Sequence, residues 1–226
     1  VRSNPEIRFQ DYKKSFNFWV NNAFVNKIIL IENSNFDLSY FNEVAEDIKN
    51  KEIEIISSNS NNEYDKSLGK GYGQYLCLKE IFDQSQIAKT TKYFIDITGR
   101  HCVKNFKAII KDIIKNESDI YVNITDNLKF ADANIYGGTK KFFINYLLSE
   151  TKKTNDSQNK IFENCVASAT LKAVSDGMSL SKTPIYADIE GFIGTNGKKY
   201  KQSIIKKIKL FFFRKLKIYF FNHKKY

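Results

Sequence analysis

The chain alternates short apolar runs with longer amphipathic stretches, and this rhythm predicts its fold class. Lys27-Ile28-Ile29-Leu30-Ile31-Glu32 is a continuous apolar run closed by a polar turn, the signature of a strand covered on both faces. Ile53-Glu54-Ile55-Ile56-Ser57, Tyr93-Phe94-Ile95-Asp96-Ile97 and Asp119-Ile120-Tyr121-Val122-Asn123-Ile124 read the same way. Between these runs the apolar spacing becomes helical. Phe41, Val44, Ala45 and Ile48 follow Ser39, a candidate N-cap, and Leu76, Leu78, Ile81 and Phe82 lie in a stretch running to about Gln86. Phe106, Ile109, Ile110, Ile113 and Ile114 mark one face of 103–115, and Phe16, Phe18 and Trp19 mark an N-terminal helix over 11–23. Regular strand–helix alternation predicts an α/β domain with a mostly parallel sheet and helices on both faces.

Beyond Thr125 the rhythm changes. A short strand is expected over 131–136, with Gly137-Gly138 as a break, helices over 140–150 and 161–175, and a last strand over 185–193. The Asn- and Ser-rich 58–65 reads as a mobile loop, 151–160 as a polar one, and no internal repeat is present.

Charge divides the chain. Lys and Arg number 36 against 25 Asp and Glu, but eleven basic residues and no acidic ones fall in 197–226. A neutral body therefore carries a basic tail, which argues against nucleic acid as the partner of the body. In the tail Ile204, Ile205, Ile208, Phe212, Leu216 and Tyr219 share an arc, with Lys206, Lys207, Lys209, Arg214 and Lys217 mainly opposite. That is a basic amphipathic helix suited to an anionic membrane surface. No apolar run approaches the ~18–20 residues of a spanning helix, and the charged N-terminus without an apolar core reads as no signal peptide. Three scattered cysteines suggest a reducing compartment, and with two histidines they form no zinc spacing. The expected location is the cytoplasm, peripheral on the inner face of the cell membrane. The expected organisation is a body over 1–196, with halves 27–125 and 126–196, and a tail over 197–226.

Parallel strands present their C-terminal ends at one edge, where ligands bind in open α/β sheets. Three small polar groups would meet there: Glu32-Asn33-Ser34, then Lys70-Gly71-Tyr72-Gly73 ahead of a helix, and Thr98-Gly99-Arg100. Glycines and a helix start favour phosphate, with Lys70 adding charge. Arg100 offers a planar donor fork for a diphosphate. Glu32 could accept hydrogen bonds from a base or ribose. Asp96, alternating with Ile95 and Ile97, needs a partner if buried. Glu163, in an apolar helix, is a candidate base, and Asp132, between Ala131 and Ala133, reads as an ordinary polar residue.

The order of these groups over about 27–164 resembles the GT-A-fold glycosyltransferases, in particular a bacterial capsule or lipopolysaccharide subgroup with Thr-Gly-Arg in place of the Asp-x-Asp metal motif. The resemblance implies a GT-A-like (Rossmann-like) sheet and transfer of a sugar from a nucleotide-sugar donor to a glycan or lipid-linked acceptor. It assigns Glu32, Asn33, Ser34, Lys70, Gly71, Tyr72, Gly73, Asp96, Thr98, Gly99 and Arg100 to the donor and Glu163 to the base. With Arg100 at the metal motif, Arg100 and Lys70 would neutralise the diphosphate and no metal ligand is assigned, although Mn2+ or Mg2+ is the usual ion of the fold. Two other classes stand beside this reading. A methyltransferase would use the same edge but needs a glycine-rich turn after the first strand, which Glu32-Asn33-Ser34 lacks. A non-catalytic membrane-binding protein would need the tail but no polar crevice.

Overall fold

A computed structural model describes residues 4–125, 127–181, 185–193 and 197–200. The expected tail helix lies outside the described residues. Helix α1 (Pro5–Val20) begins before the apolar spacing does, because Asn4 accepts hydrogen bonds from the N–H groups of Glu6 and Ile7 and Pro5 occupies the first turn. Strand β1 (Lys27–Glu32) pairs parallel with β2 (Glu52–Ser57) across the crossover helix α2 (Ser39–Asp47). Ser39 is the first helical residue rather than the cap. Leu38 stands at the N-cap position without a side-chain cap, and Asp37 before it accepts from the Ser39 N–H at 2.9 Å and hydroxyl at 3.0 Å. The helix expected to end near Gln86 is α3 (Lys70–Gln84), and a second short helix, α4 (Gln86–Thr90), follows it after Ser85, whose hydroxyl accepts from the Ala88 N–H at 2.9 Å. Glu54 of β2 accepts from the N–H groups of Gln86 and Ile87, which fixes α4 to the sheet.

The second sheet contains β3 (Tyr93–Ile97), β5 (Ile120–Tyr121) and β8 (Ile135–Thr139). Between β3 and β5 lie β4 (Cys102–Val103) and α5 (Phe106–Asn116); between β5 and β8 lie the paired β6 (Ile124–Thr125) and β7 (Phe130–Ala131). Strand β8 is central and antiparallel to both neighbours. The architecture is therefore mixed α/β with small sheets, and the expectation of a mostly parallel sheet is corrected. A parallel return needs a crossover of a dozen or more residues, usually a helix, whereas here the chain returns through the small β6–β7 hairpin.

Gly137 and Gly138, read as a break, are the middle of β8. A Cβ on Gly137 would stand 2.6 Å from the Phe94 carbonyl oxygen, and one on Gly138 would stand 2.6 Å from Phe142 Cδ1 and 3.0 Å from the Asp119 carbonyl oxygen. Close backbone approach, not a turn, is what glycine supplies there.

Beyond β8 come α6 (Lys140–Phe142), a π-helical turn over Phe143–Leu147, α7 (Leu148–Thr151) and α8 (Phe162–Ser175). The expected strand over 185–193 shortens to β9 (Ile189–Glu190), paired with β4.

Helices cover both faces. On one, Phe16 and Val20 of α1 pack with Ile28, Leu30, Ile53 and Ile55, while Trp19 of the same helix packs with Tyr93, Ile95 and Ile97. On the other, Leu78 and Phe82 of α3 pack with Phe94 and Phe143. Helix α1 thus straddles the two sheets, and α3 lies against β1 as well as Phe94 of β3, although no ladder joins β1 to β3 among the described residues.

Candidate functional site

The alternation of β3 directs Ile95 and Ile97 to the α1 face and Phe94 and Asp96 to the α3 face. Asp96 retains some accessible surface but is densely surrounded. The hydroxyl of Tyr136, directly opposite on β8, donates to its Oδ2, and Gln74 Nε2 of α3 donates to the same oxygen at 3.4 Å. Burial pushes the Asp96 carboxyl above its ordinary range, against the pull of these two bonds. Burial also pushes the Cys77 thiol up to about 12, reinforced by the carboxylates of Asp96, Glu80 and Glu32, so Cys77 is a poor nucleophile.

After β3 the chain turns through Thr98, Gly99 and Arg100. The Thr98 N–H donates to the Asn134 carbonyl at 3.3 Å, and Gly99 lies against Tyr12 of α1, where a Cβ would come within 3.1 Å of the ring. The Arg100 guanidinium has no hydrogen bond or ion pair among the described residues, and its Nε is buried. His101 beside it is 1% exposed. Its Nε2 faces the Phe192 carbonyl at 3.4 Å, its Nδ1 has no partner, and Tyr200 stands edge-on to its ring with centroids 5.0 Å apart. Burial, with a smaller contribution from the Arg100 charge, lowers His101 to about 4, against the Phe192 bond and the Asp132 charge.

The helix expected after the glycine segment begins at Lys70, so Lys70, Gly71, Tyr72, Gly73 and Gln74 form the first turns of α3. Lys70 is exposed at that helix start. Gly71 is a packing residue: a Cβ there would lie 2.6 Å from the Phe162 Cβ of α8. Gly73 likewise leaves room for the Tyr64 hydroxyl, 2.9 Å from the Cβ position. The Tyr64 and Tyr72 rings pack with centroids 5.3 Å apart. The close approach at Gly71 brings α8, with Glu163 in its first turn, toward the Asp96 wall, because the Phe162 ring also lies 6.3 Å from that of Tyr136. Glu163 is half-buried and has no hydrogen bond or ion pair among the described residues.

The first polar group closes on itself. The Glu32 carboxylate accepts from the N–H groups of Ser34 and Phe36 and from the Ser34 hydroxyl. The loop expected to be mobile is pinned to this turn: Ser58 N–H donates to the Glu32 carbonyl at 2.8 Å and Asn61 N–H to that of Asn33 at 2.9 Å, and Ser58 and Ser60 are buried. Glu32 and Ser34 thus hold the β1 turn, leaving α3 and the ends of β3 and β8 to supply uncommitted polar groups.

Sequence reasoning gave no role to Tyr136, Asn134, Tyr200 or His101. Only Asp96 inside an apolar strand signalled a missing partner. The donor set at the β3 end does not fit a divalent ion. The strand's own carboxylate, Asp96, is held by Tyr136 and Gln74, burial favours its neutral form, and it is followed closely by a guanidinium. Among the described residues no group of three His, Cys, Asp or Glu is arranged around a cation position. No described helix is long and apolar enough to cross a membrane.

No family model matches the chain, and no curated protein matches it. Among solved structures, HddC from Yersinia pseudotuberculosis matches with a TM-score of 0.32 and 17% identity, over 62% of this chain and 64% of that one. The chain therefore spans less than two thirds of that structure's length, and a likeness this coarse bears on neither its fold nor its activity.

Proposed function

We propose that the chain is an enzyme that transfers a sugar from a nucleotide-sugar donor to a surface-glycan acceptor without a metal ion. The observation that carries this reading is Arg100, a guanidinium at the end of β3 without a partner among the described residues and with its Nε already out of water. A half-buried cation without a counter-charge is costly unless a ligand supplies one, and a guanidinium fork suits a diphosphate. Lys70, exposed at the start of α3, adds charge, and the first N–H groups of that helix favour an anion, with the Asp156 carboxylate already lying against Gly69 at that start. Thr98 and Gly99 shape the approach, and Asp96 with Tyr136 and Gln74 forms the polar wall.

Ligands that bind only the folded chain raise its melting temperature. UDP, GDP, ADP, dTDP and CMP, each with EDTA or with manganese, are the probes. The expected result is a rise with one nucleotide that EDTA leaves unchanged and Arg100→Ala removes. A rise requiring manganese would refute metal independence, and no rise with any nucleotide would refute the transferase reading. The tail belongs to the same proposal, holding the enzyme at an anionic membrane where lipid-linked acceptors reside. Equal sedimentation with anionic liposomes after deletion of 204–226 would remove it.

A further inference from the structure

A second carboxylate at this edge is built differently from the rest. Asp132 lies between β7 and β8, and its own N–H donates to the Asn123 carbonyl at 2.9 Å. Its Oδ1 accepts from Asn134 twice, from the N–H at 3.1 Å and from Nδ2 at 2.7 Å. Asn134 Oδ1 in turn accepts from the Tyr200 hydroxyl at 2.6 Å, and the Asn134 carbonyl accepts from the Thr98 N–H at 3.3 Å. Asn134 thus spends both its amide ends and both its backbone groups joining Tyr200, Thr98 and Asp132. The outcome for Asp132 is asymmetric: Oδ1 is tied by two donors, and Oδ2 has no hydrogen bond among the described residues. A carboxylate with one oxygen fixed and the other open is a pre-oriented proton acceptor. Glu163 has no such orienting bond among the described residues. The Thr98–Asn134 bond also places Asp132 at the strand end that carries Arg100, and both charges act on His101 and Tyr200.

We infer that Asp132 is the catalytic base of the transfer, with Asn134 and Tyr200 as positioning residues; the inference rests on the transferase reading above. The attacking hydroxyl gives its proton to Asp132 Oδ2 as its oxygen bonds to the anomeric carbon. The bond from that carbon to the phosphate oxygen breaks, and its electron pair leaves on the nucleotide, where Arg100 meets the charge. Asp132 then returns the proton to water.

The test uses the full chain, the nucleotide that stabilises it, and release of that nucleotide from its nucleotide sugars with water or free monosaccharides as acceptor. Asp132→Asn is expected to lower kcat at least 100-fold, with added formate restoring part of the activity of Asp132→Ala. Tyr200→Phe is expected to lower kcat about tenfold with KM unchanged, whereas a purely structural role would shift the melting temperature without that split. In calorimetry Asp132→Asn is expected to bind the nucleotide at least threefold more tightly, since a charge facing the leaving phosphate is removed. Turnover of Asp132→Asn within threefold of wild type, or an unchanged nucleotide affinity, would overturn the assignment and leave the transferase reading standing. A wild-type chain that neither binds a nucleotide nor turns over a nucleotide sugar refutes that reading, and the assignment falls with it.

Discussion

His101 makes the folded chain sensitive to mild acid, and the size of the effect follows from its surroundings. The ring is 1% exposed, its Nδ1 is unpartnered, and the Arg100 guanidinium lies beside it, so its folded value falls to about 4 from the ordinary 6.5. Between those two values the unfolded chain binds a proton that the folded chain refuses, so stability falls as pH falls. From pH 7.5 to pH 5 the loss is about 2 kcal/mol, and below pH 4 it saturates at about 3.4 kcal/mol. Glu150 and Glu190 are both held at about 2, and their stabilisation fades only between pH 4.5 and 2. Asp96, raised by burial, acts in the opposite sense, gaining stability as it protonates. Urea unfolding at pH 7.5 and pH 5 on wild type and His101→Gln, each in an Asp96→Asn background, isolates the histidine. With a urea slope of roughly 2 kcal/mol per molar, the wild-type midpoint is expected to drop by about 1 M more than that of the His101→Gln chain. Proton NMR supplies a direct check, because the chain has two histidines and His223→Asn identifies the other. A His101 ring signal titrating near 6.5, or equal midpoint shifts in the two chains, would refute the reasoning.

Two packing predictions follow. Gly138→Ala places a Cβ 2.6 Å from Phe142 Cδ1 and 3.0 Å from a backbone oxygen, and is expected to cost about 1–3 kcal/mol, read as a lower midpoint in urea; an unchanged midpoint would mean that β8 is not packed this closely. Glu150, with its side chain 6% exposed, bonds to Lys153, Lys172 and Ser168, and these bonds outweigh burial in holding its carboxyl at about 2. Glu150→Gln is expected to cost about 1–3 kcal/mol at pH 7 and almost nothing at pH 2, where the wild-type carboxylate is itself protonating.

Much of the fold was readable because strands and helices here are strongly periodic. The apolar runs at 27–32, 53–57 and 93–97 are strands, and the helical spacings around Phe41, Ile109 and Val166 are helices. Most of the failures share a cause in tertiary contact. The start of α1 is the exception, because Asn4-Pro5 is itself a local start signal that the later apolar spacing masked. Gly71 and Gly73 look like a loop because glycine disfavours helices by about 1 kcal/mol. They are tolerated because α8 and Tyr64 approach α3 more closely than a side chain would permit. Arg100, picked out by its place after β3, has no ion pair among the described residues. Its neighbours stayed hidden because the contacts that define them join residues far apart in the chain: Asp96 to Tyr136, His101 to Phe192, Asn134 to Tyr200.

Gly137-Gly138 shows how one misread signal hides both topology and site. Read as a break, the pair ends a short strand and leaves the sheet parallel. Placed inside β8, the same glycines let the strand run between β3 and β5 while the Phe142 ring lies against it. That placement sets Tyr136 opposite Asp96, and a one-residue slip would turn Tyr136 to the opposite face. The partner that Asp96 needed is thus supplied by the residue just before the glycines. Asn134, two residues earlier, reaches the end of β3 in the same register through Thr98. The Asp96–Tyr136 contact and the orientation of Asp132 therefore depend on one antiparallel register, which side chains larger than glycine at 137 and 138 would strain.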